Sequence, residues 1–85
     1  MSKKSKRLER LRNASPAGAP SSLVVQVLTD HGFQWTQGGT NHRVFSHPLG
    51  VSLTLPMDPV ARHVYVKLAL RAIDKAIEGA QKNPE

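Results

Sequence analysis

Residues 32–56, GFQWTQGGTNHRVFSHPLGVSLTLP, decide how this chain folds. Phe33 and Trp35 alternate with Gln34 and Thr36, the two-residue period of a strand. Gly38-Gly39-Thr40-Asn41 carries turn chemistry, because glycine and asparagine accept positive φ. A second strand runs from His42 to His47 around Val44 and Phe45, and Pro48-Leu49-Gly50 turns the chain again. Val51, Leu53 and Leu55 then alternate with Ser52 and Thr54 as a third strand with one buried face. Three short strands joined by tight turns predict an antiparallel meander.

Both flanks read as helices. Upstream, Ser21 and Ser22 are N-cap residue types, and Val24, Val27, Leu28 and His31 recur at helical spacing. Gly32 lies where a left-handed C-cap is wanted. Together these signals predict a helix from about Ser22 to His31. Downstream, Asp58-Pro59 places an N-cap before a proline at the first helical position. Val66, Leu70, Ile73 and Ile77, with Ala69 and Ala76 beside them, predict an amphipathic helix from about Pro59 to Gln81. The order helix, three strands, helix gives an α+β domain over residues 21–82, with one sheet face covered by two helices. Asn83-Pro84-Glu85 reads as a frayed end.

Residues 1–20 differ in composition. Residues 1–13 hold Lys3, Lys4, Lys6, Arg7, Arg10 and Arg12 against Glu9 alone, or 6 − 1 = +5 of the net charge of +6. Leu8 and Leu11 sit three apart, a weak amphipathic stripe for a short helix, and Asn13 to Pro20 has the small residues and prolines of a linker. The segment reads as a basic extension, either adding salt-dependent affinity for a polyanion or serving as a docking or solubility segment.

With 85 residues the chain supports one domain, which buries only about 60% of its unfolded surface. The absence of cysteine excludes disulfides and thiolate metal sites. No apolar run approaches the roughly 18 residues that cross a bilayer, and no hydrophobic stretch follows the charged N-terminus as in a secretory signal. A cytoplasmic protein with no membrane partner is expected.

His42 is the residue with chemical potential. Histidine titrates near neutrality, with an unperturbed pKa of about 6.5, so an imidazole can take or give a proton in ester cleavage. A glycine turn beside it lets backbone N–H groups approach a phosphate. The plainer reading is an ordinary hairpin loop followed by an exposed histidine. His42 and His47, five residues apart, would lie about 16 Å from each other on opposite faces of a regular strand, which argues against an acid–base pair or a shared metal. His47 reads as a turn residue or edge contact, and His31 and His63 as capping or surface residues. No metal site and no cofactor is expected. Lys67, Arg71 and Lys75 form a ridge at i, i+4 and i+8, either a phosphate-contacting face or a solvated one. Trp35 reads as a core residue before it reads as a base-stacking one.

Gly32-Phe33, the run Gln37-Gly-Gly-Thr-Asn-His-Arg-Val-Phe-Ser-His-Pro48, and Leu53-Thr-Leu-Pro56 together resemble the HicA (YcfA-like) family of toxin–antitoxin ribonucleases. The likeness covers about Leu23 to Ile77, and its most specific pieces are the glycine turn before His42 and the Phe-x-His-Pro run at Phe45 to Pro48. The chain departs from the family at Asn41, where serine is usual. The resemblance implies a double-stranded-RNA-binding-domain-like fold and an endoribonuclease acting on mRNA, silenced by a HicB-like antitoxin. His42 matches the family's catalytic histidine. The residues expected to meet RNA are Gly39, Thr40, Asn41 and Arg43 around the turn and Lys67, Arg71 and Lys75 on the last helix. The alternative is a non-catalytic RNA-binding module of the same layout. A further one is an interaction domain whose basic extension meets the partner.

Overall fold

Side-chain periodicity places the elements of this chain, and the partners found by backbone polar groups set where each one ends. The computed structural model describes residues 3–14, 16–39 and 41–82. In chain order they form α1 (Lys3–Arg12), β1 (Ala19–Pro20), α2 (Ser21–Asp30), β2 (Gln34–Gln37), β3 (His42–Ser46), β4 (Ser52–Pro56), β5 (Val60–Ala61) and α3 (His63–Lys82). The result is an α+β fold. Strands β2, β3 and β4 make the expected antiparallel meander, with Phe45 opposite Trp35 on one side and Leu53 on the other.

Strand alternation gives the sheet two unlike faces. Phe45 and Leu55 are buried on the face that the helices cover, with α3 packed along β4. On the opposite face Gln34, Thr36, His42, Ser46, Ser52 and Thr54 are exposed, and Val44 and Pro56 are half-buried. This second face lies open. The core beneath the first is closed by Val24, Val27 and Leu28 of α2 and by Val66, Ala69, Ile73 and Ala76 of α3. Small residues on α3 allow close approach, and each larger aliphatic buried here contributes about 1.5–3 kcal/mol.

Two elements depart from the sequence expectation. The last helix begins at His63 and not at Pro59, because residues 60 and 61 pair with Ala19–Pro20 as β5 against β1. Asp58 therefore does not cap a helix. Its carbonyl accepts the Ser21 hydroxyl, and the Pro59 carbonyl accepts the Ser21 backbone N–H at 3.1 Å. Those bonds also explain why neither Ser21 nor Ser22 caps α2: the N-cap position is Pro20, and Ser21 spends its hydroxyl on a segment far along the chain. At the start of α3 the carbonyl of Arg62 accepts from the N–H groups of Tyr65 at 2.9 Å and Val66 at 3.0 Å.

The second departure is the basic N-terminal segment. Its helix docks on the rest of the molecule: Leu11 is fully buried in the common core, so residues set apart by composition take part in the fold. Ion pairs fasten it. Arg7 donates twice to Asp30, at 2.6 and 2.8 Å, and Arg12 reaches Asp74 at 2.6 Å. The Arg7 hydrogen bond holds the Asp30 carboxyl below its ordinary range, and both guanidinium groups are pushed further up by their carboxylate partners. The expected C-cap is present: Gly32 takes φ +92° just after α2. Residues 83–85, read as frayed, lie outside the described part of the chain.

Candidate functional site

The β2–β3 hairpin presents His42 at one corner of the open sheet face. The Gly38 N–H donates to the His42 carbonyl at 2.9 Å, closing the hairpin. Glycine is needed at 38 for room, since a Cβ there would stand 2.7 Å from a Val44 methyl. The Gln37 side-chain amide donates to the Gly39 carbonyl and braces the turn from within. On its other flank the turn is tied to the end of β4. The Met57 N–H donates to the Asn41 carbonyl at 2.7 Å, and the Asn41 side-chain amide donates to Asp58 Oδ1 at 2.9 Å. Thr40, expected to contact RNA, lies outside the described residues. Gly39 and Asn41 are exposed.

The imidazole of His42 is exposed and has no hydrogen bond or ion pair among the described residues. An open imidazole can exchange a proton with a ligand lying on the sheet, whose side chains nearest His42 on that face are Thr36, Val44, Thr54 and Pro56. Asp58 adds a carboxylate beside the turn. Sequence reading missed it because Asp58-Pro59 is equally good helix-start chemistry, and only the long-range pairing of β1 with β5 reassigns it.

Arg43 points away from His42, as strand alternation requires. Its guanidinium carbon lies 3.8 Å from the centre of the Trp35 ring, a cation–π stack between diagonal neighbours of the β2–β3 pair. Trp35 is not the core residue expected: it is 40% exposed. The physical reason is its strand. β2 is an edge strand, α3 packs on β4 at the opposite edge, and Arg43 supplies the only ring-stacking partner given for Trp35 among the described residues.

His47 serves the fold. The Leu49 N–H donates to its Nδ1 at 3.1 Å, so Nε2 carries the proton and donates to the His31 carbonyl at 3.0 Å. Its ring also lies 5.0 Å from that of Phe33, tilted by 59°. The turn after β3 is thereby clasped to the end of α2. His31 in turn donates through Nδ1 to the Val27 carbonyl at 2.9 Å, and His63 is exposed at the start of α3.

The basic residues do not gather at His42. Lys67, Arg71 and Lys75 are exposed on α3, and Arg71 and Lys75 border a cleft with Val51, Ser52 and Leu53 at the start of β4. His42 is level with Pro56 at the other end of that strand, about 13 Å away at strand spacing. A larger cleft of about 400 Å³ lies between the end of α1 and Gly18, Ala19 and Pro20, lined also by Glu9, Arg10 and Leu23, and His42 does not border it. Among the described residues no three His, Asp or Glu side chains converge as metal ligands, and no helix is long and apolar enough to cross a membrane. No family model matches the chain, and no curated protein or solved structure matches it.

Proposed function

We propose that this chain is an endoribonuclease of the toxin kind that residues 32–56 resemble, with a double-stranded-RNA-binding-domain-like fold and His42 as its general base. The observation that carries the reading is the exposed imidazole of His42, without a partner among the described residues, at the end of a glycine turn on an open sheet face. In the reaction His42 takes the proton of a ribose 2′-hydroxyl. The 2′-oxygen then bonds to the adjacent phosphorus, the bond from phosphorus to the 5′-oxygen breaks, and that oxygen takes a proton from water. A 2′,3′-cyclic phosphate and a 5′-hydroxyl end result. Such a step needs a base near neutral pH within hydrogen-bond reach of the hydroxyl, which an exposed histidine supplies.

The turn residues Gly39, Thr40 and Asn41 would lie against the phosphate, and Arg43 with Trp35, on the other face, would meet RNA where it passes round the β2 edge. Arg71 and Lys75, beside the start of β4 and about 13 Å along that strand from the level of His42, would with Lys67 meet a different stretch of the RNA backbone. A HicB-like antitoxin would act by covering the His42 corner, and a cytoplasmic site of action follows from mRNA as substrate. Expression in growing cells tests the reading. The wild-type chain should arrest growth and degrade mRNA, while His42→Ala should do neither and keep the same circular dichroism. Growth arrest that survives the substitution would remove His42 from the chemistry.

A second reading has its own support. The amide of Asn41, which stands where the family has serine, is bound to Asp58, so a carboxylate lies where a phosphate would approach. A module that binds RNA without cutting it fits that arrangement. RNA that shifts on a gel yet stays intact would favour it.

A further inference from the structure

We propose that the open edge of β4, with the cleft between it and α3, receives an extended acidic segment of a partner protein as an added strand. This inference rests on β4 and α3 alone and is independent of what His42 does.

The first observation is a free strand edge with its hydrogen-bonding groups turned outward. In the sheet order β2-β3-β4, β4 has a neighbour on one side only. The His47 N–H bonds the Val51 carbonyl at 2.8 Å and the Met57 N–H bonds the Asn41 carbonyl at 2.7 Å, and these bonds bracket the β3–β4 ladder and set its phase. In an antiparallel pair the bonded positions alternate, so Leu53 and Leu55 face β3 while Ser52 and Thr54 direct their N–H and C=O groups to the open side. Pro56 offers no N–H and ends the usable edge.

The second observation is what lies beside that edge. A shallow cleft of about 110 Å³ is walled by Val51, Leu53, Leu68 and Ala72, with Arg71 and Lys75 at its rim. Leu68 is 41% exposed and Val64, one turn earlier, 57% exposed, so the apolar strip continues along α3. Neither Arg71 nor Lys75 has an ion-pair partner among the described residues, and the carboxylate of Asp74, one turn from Arg71, is bound by Arg12. An apolar strip, a row of strand donors and acceptors, and unpaired cations select one kind of occupant: a β-strand with aliphatic and acidic side chains toward α3.

Other occupants fit less well. RNA would find aliphatic walls and outward carbonyls here, with no aromatic ring bordering the cleft on which a base could stack. A second copy of this chain pairing through the same edge would set Arg71 and Lys75 against their own equivalents, which like-charge repulsion opposes. Lysines beside an edge can also serve simply to discourage pairing, and the experiment separates that role from recruitment.

The probe is a synthetic capped heptapeptide, Val-Thr-Glu-Thr-Val-Thr-Glu, whose Val and Glu side chains share one face of a strand, titrated into the isotope-labelled full chain at physiological salt and followed by amide NMR. Shifts should concentrate at Ser52, Leu53, Thr54, Leu68, Arg71 and Lys75. The double variant Arg71→Glu, Lys75→Glu, both exposed and remote from the core, should weaken binding by about tenfold or more. The same peptide with Lys for Glu should bind less well than the acidic one. His42→Ala should bind the acidic peptide like wild type, which keeps this test apart from the ribonuclease reading. No shifts at these residues up to about 1 mM peptide would overturn the proposal. So would binding indifferent to the charge reversal, or a single-stranded oligoribonucleotide shifting these residues where the peptide does not.

Discussion

His42 and His47 belong to one strand-and-turn segment, and their surroundings give them opposite duties. Both nitrogens of His47 are committed, one to the Leu49 N–H and the other to the His31 carbonyl, so its ring joins two parts of the fold. Removing it strands the His31 carbonyl at a partly buried position. His47→Ala is expected to cost about 1–3 kcal/mol in urea unfolding while leaving the His42 corner intact. The same substitution at His42 should leave stability within about 0.5 kcal/mol of wild type, since an exposed surface residue is removed. Trp35, the single tryptophan, reports on its own stack: Arg43→Ala should change its fluorescence and cost no more than about 1 kcal/mol, in keeping with an exposed cation–π pair. At this scale the sequence was legible where periodicity governs. Alternation correctly separated His42 from Arg43, and Pro48 marked His47 as a turn residue or edge contact. It failed for Trp35, because alternation says which face a side chain takes and not how far the helices extend over that face.

Among the elements, α1 has the most to explain, since two leucines and a cluster of cations make a poor helix in isolation. Docking stabilises it. Leu11 fills a fully buried position, so Leu11→Ala should destabilise the whole domain by about 2–5 kcal/mol, measured as a shift of the urea midpoint at constant slope. Arg7 and Asp30 add a pH dependence. The Asp30 carboxyl is lowered in the folded state, first by the Arg7 hydrogen bond. A depressed folded-state pKa gives stability that is present above the unfolded value, about 4, and lost as pH falls through the folded one. Acidification from pH 6 to pH 3 should therefore destabilise wild type more than Asp30→Asn, read from urea midpoints at both pH values. The late start of α3 and the uncapped start of α2 share one cause. Local residues advertise caps at Ser21 and Asp58, but the pairing of Ala19–Pro20 with Val60–Ala61 comes from across the chain, joins Ser21 to the Asp58 carbonyl and ends the segment as a strand.

For the molecule as a whole, charge is less concentrated than the sequence implies. Of the cations in the N-terminal segment, Arg7 and Arg12 are spent on Asp30 and Asp74, while Lys6 and Arg10 remain exposed. Deleting residues 1–20 would also remove Leu11 and β1, so charge is better tested by Lys6→Gln with Arg10→Gln. If both meet RNA, the slope of log affinity against log salt should fall by about 0.7 per lost contact on single strands. An unchanged slope would free this segment from any part in RNA binding. The helices hide one side of the sheet and leave the other, with His42 at its corner, open to a large ligand. That arrangement is the basis of the ribonuclease reading, and the chemistry of the cut ends tests it most directly. Purified protein and RNA incubated in EDTA should yield fragments ending in 2′,3′-cyclic phosphate and beginning with 5′-hydroxyl, and His42→Ala should yield none. RNA recovered whole with the wild-type protein, or cut equally by the variant, would contradict the account.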